Sequence, residues 1–228
     1  MKLFLLCVLS LAISGFAACK GEQSKQAAPA QTPSAATPAP RTPSKSVAKI
    51  IAFGDSLTAG YGLSPEESYP SLLRKRLDAD GYEYEVVNAG VSGDTSAGGV
   101  RRIDWSLEGG AEIVILELGA NDILRGQPVE QMKKNLSEII NHVKARNARV
   151  LLAGMEALTN SGPDYRSSVH EAFQTLAREH DVTLIPFILD GVAGIESLNQ
   201  EDGIHPTAEG TKIVAENVYQ YLKPMLKK

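Results

Sequence analysis

The sequence predicts an α/β domain: a parallel sheet covered by helices on both faces. Short apolar runs rich in β-branched residues recur five times, and the stretches between them carry apolar residues at helical spacing. Strands that alternate with helices of this length need crossover connections, which cover both faces of the sheet. Polar clusters rich in Gly, Asp, Ser and Asn follow three of the runs, where open α/β sheets bind their ligands.

Residues 1–18 read as an export signal: Lys2, an apolar run from Leu3 to Ile13, then small residues ending in Ala17-Ala18. The run falls short of the roughly 20 residues that span a bilayer. Ala17-Ala18-Cys19 resembles a bacterial lipobox, with Phe16 in place of the usual aliphatic residue. Cys19 is then the lipidated mature N-terminus, and Lys20 after it points to the periplasmic side of the outer membrane. Ordinary cleavage nearby, releasing a soluble periplasmic or secreted protein, is the alternative. The chain has two cysteines, Cys7 and Cys19, so the rest of it forms no disulfide. One acyl chain anchors marginally, whereas the several chains of a bacterial lipoprotein hold stably.

Residues 19–46 follow as the lipidated cysteine and a tether of Ala, Pro, Thr, Ser, Gln and Lys. Such a segment buries too little apolar surface to offset its ordering entropy. As a flexible chain it spans roughly 30 Å.

Residues 47–228 leave one domain of about 180 residues, enough for a single core. Its expected strands are Lys49 to Phe53, Tyr84 to Asn88, Ile113 to Leu118, Arg149 to Ala153 and Thr183 to Phe187. Helical faces are carried by Met132, Leu136, Ile139, Ile140 and Val143, by Val169, Phe173, Leu176 and Ala177, and by Ile213, Val214, Val218 and Leu222. The net charge of −4, with acids and bases interspersed, carries no nucleic-acid footprint, and Arg74-Lys75-Arg76 reads as a solvated helix face.

Ser56 stands in Gly54-Asp55-Ser56-Leu57, directly after the first strand. A nucleophilic serine needs exposure, a base and donors for an oxyanion. A serine after a strand is also a common helix N-cap, so this motif alone leaves both roles open. His205, in Asp202-Gly203-Ile204-His205-Pro206, is the candidate base; His142, His170 and His180 fall in expected helices. Asp202, three residues before it, can accept from the ring and fix its tautomer. Candidate oxyanion donors are the backbone N–H groups of Ser56 and Gly93 and the side-chain amide of Asn121. Asn121-Asp122 is equally readable as a turn pair.

Taken together, Phe53-Gly54-Asp55-Ser56-Leu57-Thr58, Gly90-Val91-Ser92-Gly93-Asp94, Gly119-Ala120-Asn121-Asp122 and Asp202-Gly203-Ile204-His205-Pro206 resemble the four blocks of the SGNH (GDSL) hydrolases. The similarity runs over nearly all of 48–225 and lies nearest the bacterial thioesterase I, lysophospholipase L1 and arylesterase branch. It implies a flavodoxin-like α/β/α three-layer sandwich with a five-stranded parallel sheet in the order 2-1-3-4-5. It also implies Ser56, Asp202 and His205 as the triad and Ser56, Gly93 and Asn121 as the oxyanion hole. No metal or other cofactor is implied. The expected partners are a small ester, thioester or acyl substrate and, through the N-terminal lipid, a membrane; the expected state is a monomer.

Members of this branch often carry a proline-containing loop after the fourth strand. Glu156-Ala157 stands close to where the resemblance leads one to expect an apolar or proline pair near the acyl pocket, which leaves the acyl-chain preference open. Leu124, Met155, Leu158, Ile195 and Ile204 are candidates for the pocket wall. Two alternatives use the same sequence: a carbohydrate O-deacetylase with the same triad, and a lipid-binding lipoprotein without activity. The single tryptophan, Trp105, offers little to a glycan, and no catalytic position is missing.

Overall fold

Apolar residues dominate both faces of the central strands, and this dictates where they sit. In the computed structural model, which describes residues 47–228, the strands are β1 (Ala48–Gly54), β2 (Tyr84–Gly90), β3 (Ile113–Glu117), β4 (Arg149–Ala153) and β5 (Thr183–Ile185). They form one parallel sheet ordered β2-β1-β3-β4-β5. Ile50 to Phe53 and all of β3 are buried, as expected of parallel strands covered on both faces. The last strand stops at Ile185, short of the expected Phe187, because Pro186 has no N–H to give a ladder.

The covering helices are α1 (Ser56–Ala59), α2 (Tyr69–Ala79), α3 (Ser96–Ser106), α4 (Ala120–Leu124), α5 (Val129–Ala145), α6 (Pro163–His180) and α7 (Ala208–Leu222). Helix α2 packs with α7, while α5 packs between α3 and α6, giving a layer on each side of the sheet. The α5 face expected from the spacing is buried throughout: Met132, Leu136, Ile139, Ile140 and Val143. Each such side chain contributes roughly 1.5–3 kcal/mol by leaving water.

Register positions the site. Gly54, the last residue of β1, pairs with Gly90 of β2 and Glu117 of β3. The chain segments leaving these three strands therefore start side by side at one rim. Residues 1–46, with the expected signal, Cys19 and the tether, lie outside the described residues. Among the described residues no helix is long and apolar enough to cross a membrane.

Candidate active site

The turn after β1 is tight because nothing larger than glycine fits at 54, where a Cβ would collide with Thr58 Oγ1 and Glu117. Asp55, and not Ser56, caps the short α1, its Oδ1 accepting from the Leu57 N–H at 3.1 Å. Ser56 is therefore not the cap of α1, and its hydroxyl is free of that role. Ser56 Oγ lies 2.8 Å from His205 Nε2, and His205 Nδ1 lies 2.6 Å from Asp202 Oδ2. Asp202 Oδ1 accepts from the backbone N–H groups of Ile204 and His205, each at 3.0 Å. The hydrogen bond from His205, helped by these two N–H groups, holds the Asp202 carboxyl down at about 2 although its side chain is 39% exposed. Tyr61 lays its ring against the imidazole, with centroids 4.6 Å apart.

The loop that carries Asp202 and His205 belongs to neither strand nor helix, so side chains tie it down. Gln200 Nε2 donates to the carbonyls of Tyr61 (2.8 Å) and Pro206 (2.9 Å), and its backbone N–H donates to His205 O at 2.7 Å. Asn199 Nδ2 donates to Val192 O and Ile195 O. Gln200 thus joins the segment after Ser56 directly to the segment holding His205.

Gly93 and Asn121 line the same cavity as Ser56 and His205. Gly93 sits at φ +80° with open space around its missing Cβ, so backbone conformation, not close approach, makes it glycine. Its carbonyl accepts from Arg125 Nη2 at 2.9 Å. Asn121, on α4, donates one amide hydrogen to Asp55 Oδ2 at 3.0 Å and keeps the other. Among the described residues, neither the Ser56 nor the Gly93 N–H is committed to a protein acceptor.

Several supporting residues escaped the sequence reading. Asp122 is buried and accepts from Ser96 N (2.8 Å) and Ser96 Oγ (2.6 Å), which docks the start of α3 against α4. Arg102 joins Asp94 (2.7 Å), Ala89 O (2.8 Å) and Gly54 O (2.7 Å), stapling the rims of β1 and β2 together. Glu117 and Asp55 are both fully buried beneath Ser56, and burial pushes both carboxyls upward. An acid closing the apolar run Ile113-Val114-Ile115-Leu116 was the one available signal.

The cavity beside Ser56 measures about 480 Å³ and is lined mainly by apolar groups, among them Leu124, Met155, Leu158 and Ile204. Ile195 is not in its wall; the neighbouring Ala193 and Gly194 are. Glu156 and Ala157 both reach it, with Glu156 Oε1 3.5 Å from His170 Nδ1. Among the described residues no group of three His, Cys, Asp or Glu side chains is arranged to hold a metal ion. A hydroxyl, a ring nitrogen and a carboxylate in sequence, beside convergent N–H donors, can carry out acyl transfer.

Residues 52–213 match the GDSL-like Lipase/Acylhydrolase family. Esterase TesA of Pseudomonas aeruginosa is 40% identical over 178 residues, covering 78% of this chain and 89% of that protein. Thioesterase 1/protease 1/lysophospholipase L1 of Escherichia coli is 35% identical over 178 residues, covering 78% and 84%. Among solved structures, the psychrotrophic esterase EstA from Pseudoalteromonas sp., inhibited by monoethylphosphonate, superposes with a TM-score of 0.74 at 34% identity, covering 78% of this chain and 97% of its own. The chain belongs to the GDSL, or SGNH, hydrolase family.

Proposed function

We propose that this protein is a serine esterase that hydrolyses carboxylic esters, aryl or of short to medium acyl chain, through an acyl-enzyme on Ser56. The observation that carries the reading is the unbroken line Ser56 Oγ–His205 Nε2 (2.8 Å) and His205 Nδ1–Asp202 Oδ2 (2.6 Å) at the mouth of an apolar cavity. His205 takes the serine proton as Ser56 Oγ attacks the ester carbonyl, and Asp202 keeps the imidazole proton on Nδ1. The N–H groups of Ser56 and Gly93 and the free amide hydrogen of Asn121 receive the negative charge that develops on the carbonyl oxygen. Collapse releases the alcohol or thiol, protonated by His205, and water activated by the same ring frees the acid.

The apolar cavity supports an acyl group as the part of the substrate held inside. Glu156, an acid in the lining of a mainly apolar cavity, favours shorter chains than a fully apolar wall would. Lysophospholipids and acyl thioesters remain within the same chemistry. The deciding experiment assays residues 47–228, with and without Ser56→Ala, on p-nitrophenyl esters from acetate to palmitate. Hydrolysis that vanishes with the serine, and a phosphonate adduct on the peptide containing Ser56, are the expected results. Activity that survives Ser56→Ala overturns the reading, and no hydrolysis of any ester directs attention to acetylated glycans.

We further propose that Cys19 carries the lipid that anchors the esterase to the periplasmic face of a membrane. Support comes from the small residues before it and the absence of any other cysteine after the signal. Incorporation of labelled palmitate, abolished in Cys19→Ala, is the result expected.

A further inference from the structure

Beneath Ser56 lies a buried polar chain that the acyl-transfer steps do not use. Glu117 Oε2 accepts from Thr58 Oγ1 at 2.8 Å and from the Asp55 N–H at 3.2 Å. Thr58 has one hydroxyl proton and spends it on Glu117, so Tyr69, at 3.1 Å, must donate to Thr58. Asp55 in turn accepts from Leu57 N and from Asn121 Nδ2. Glu117, Asp55, Thr58 and Tyr69 are all fully buried. Glu117 Oε1 is left with no hydrogen-bond partner among the described residues.

Two ionised carboxylates in so dry a place need a cation, and none bonds to either. The groups that face the pair are Tyr69 from α2, Thr58 from α1, and His205, which acts on Asp55 through space. Arg102 from α3 stops at Gly54 O and is already matched by Asp94. A buried carboxyl oxygen without a partner is satisfied when it carries a proton and a neighbouring carboxylate can accept it, and the Glu117 and Asp55 side chains are hydrogen-bonding neighbours. Burial acts in the same direction, raising Glu117 well above the ordinary range, while its bonded neighbour Asp55 receives two N–H donors that favour the anion.

We propose that Glu117 is a neutral carboxylic acid that donates its carboxyl proton to the Asp55 carboxylate and so, through Asp55, aims the Asn121 amide at the oxyanion. Glu117 is a positioning residue: it touches no substrate, and its effect reaches the reacting atoms through Asp55 and Asn121. The idea rests on the assignment of Asn121 to the oxyanion hole, but its first test does not depend on turnover.

That test is infrared difference spectroscopy of the full protein against Glu117→Gln. A protonated carboxylic-acid C=O band present at neutral pH in the wild type, retained in Ser56→Ala and missing from Glu117→Gln, is expected. Absence of the band overturns the proposal, whatever the esterase assays say. The kinetic test compares Glu117→Gln with Glu117→Leu. Glutamine keeps one acceptor for Thr58 and Asp55 N and one donor for Asp55, so it holds kcat within about threefold. Leucine removes the donor to Asp55 and lowers kcat by as much as a lost oxyanion donor, about 10²-fold, with KM nearly unchanged. Equal losses in the two variants also overturn it. Should Glu117→Leu fail to fold, the infrared band and the activity of Glu117→Gln decide. Esterase activity that survives Ser56→Ala would instead remove the nucleophile assignment while leaving the band intact.

Discussion

Asp202→Asn inactivates this enzyme more thoroughly than deleting the side chain does, because the surrounding backbone dictates how the amide must turn. Asp202 Oδ1 accepts from two backbone N–H groups, each at 3.0 Å, and only the oxygen of an asparagine can take that place. Its NH₂ group then faces His205 Nδ1, where the carboxylate now accepts at 2.6 Å. A donor there forces the ring proton onto Nε2, and the nitrogen 2.8 Å from Ser56 Oγ can no longer accept the serine proton. A wrong tautomer of this kind costs about 10⁴ in kcat, which is about 5 kcal/mol of transition-state stabilisation. Asp202→Ala leaves Nδ1 to water, which reaches a side chain that is 39% exposed and can support the productive tautomer. Its loss is therefore smaller. Burst-phase and steady-state hydrolysis of p-nitrophenyl acetate measure both variants, and thermal melting shows that Asp202→Asn folds as the wild type does. Equal losses in the two variants would refute the tautomer reasoning and leave only the negative charge to explain the role of Asp202.

Asn121→Ala removes an oxyanion donor and lowers kcat about 10²–10³-fold with little change in KM. It also strips a hydrogen bond from the buried Asp55 carboxylate, which costs roughly 1.5–3 kcal/mol of stability, read as a drop in denaturation midpoint. Leu158→Asp, at the cavity wall, raises KM for octanoate and longer esters and leaves acetate hydrolysis nearly unchanged, a split visible in the chain-length profile. Glu117 is held well above its ordinary 4.5, so over that window the native state binds more protons than the unfolded chain. Stability therefore falls as pH rises through it, and Glu117→Gln flattens the slope in urea titrations run at several pH values. Asp202 has the opposite sign: held at about 2 instead of 3.8, its stabilising contact with His205 persists in mild acid and is lost only as pH falls through that lower value.

The fold was legible because its signals are local. Five apolar runs and three helical faces appear in the structure with boundaries shifted by a few residues, as at β5, where Pro186 ends the ladder early. Asp202 and His205 were legible for the same reason, since a three-residue spacing on a Gly–Pro-framed loop already holds most of their geometry. Ser56 was legible as a candidate only, and that Asp55 takes the cap of α1 in its place is visible only in the structure. Arg102 and Gln200 stayed hidden because their partners are mostly carbonyls, which every residue has. Glu117 announced itself as an acid at the end of an apolar strand, yet its partner Asp55 lies 62 residues away on the neighbouring strand's turn. Only the register that sets Gly54 opposite Glu117 reveals the pair.

Three carboxyl groups stand around Ser56, and their surroundings sort them into different work. Asp202 is on an exposed loop, ionised, and fixed by N–H groups contributed by its own loop, so in the proposed mechanism its charge is available to an imidazole that gains and loses a proton in each cycle. Water beside it is tolerable, because orientation of the ring depends on short contacts and not on a dry surrounding. The oxyanion side has the opposite need. A donor is effective there in proportion to how little it must reorganise when charge appears, and a flexible asparagine amide on the five-residue α4 has little rigidity of its own. Asp55 supplies that rigidity from below, and a negative Asp55 in an apolar interior demands a further donor. Glu117, neutral and anchored by Thr58 and the Asp55 backbone, provides it without adding a second charge. An ionised acid on the wet side and a protonated one on the dry side are two answers to one requirement: each places a fixed hydrogen-bonding partner where the reacting charge will next appear.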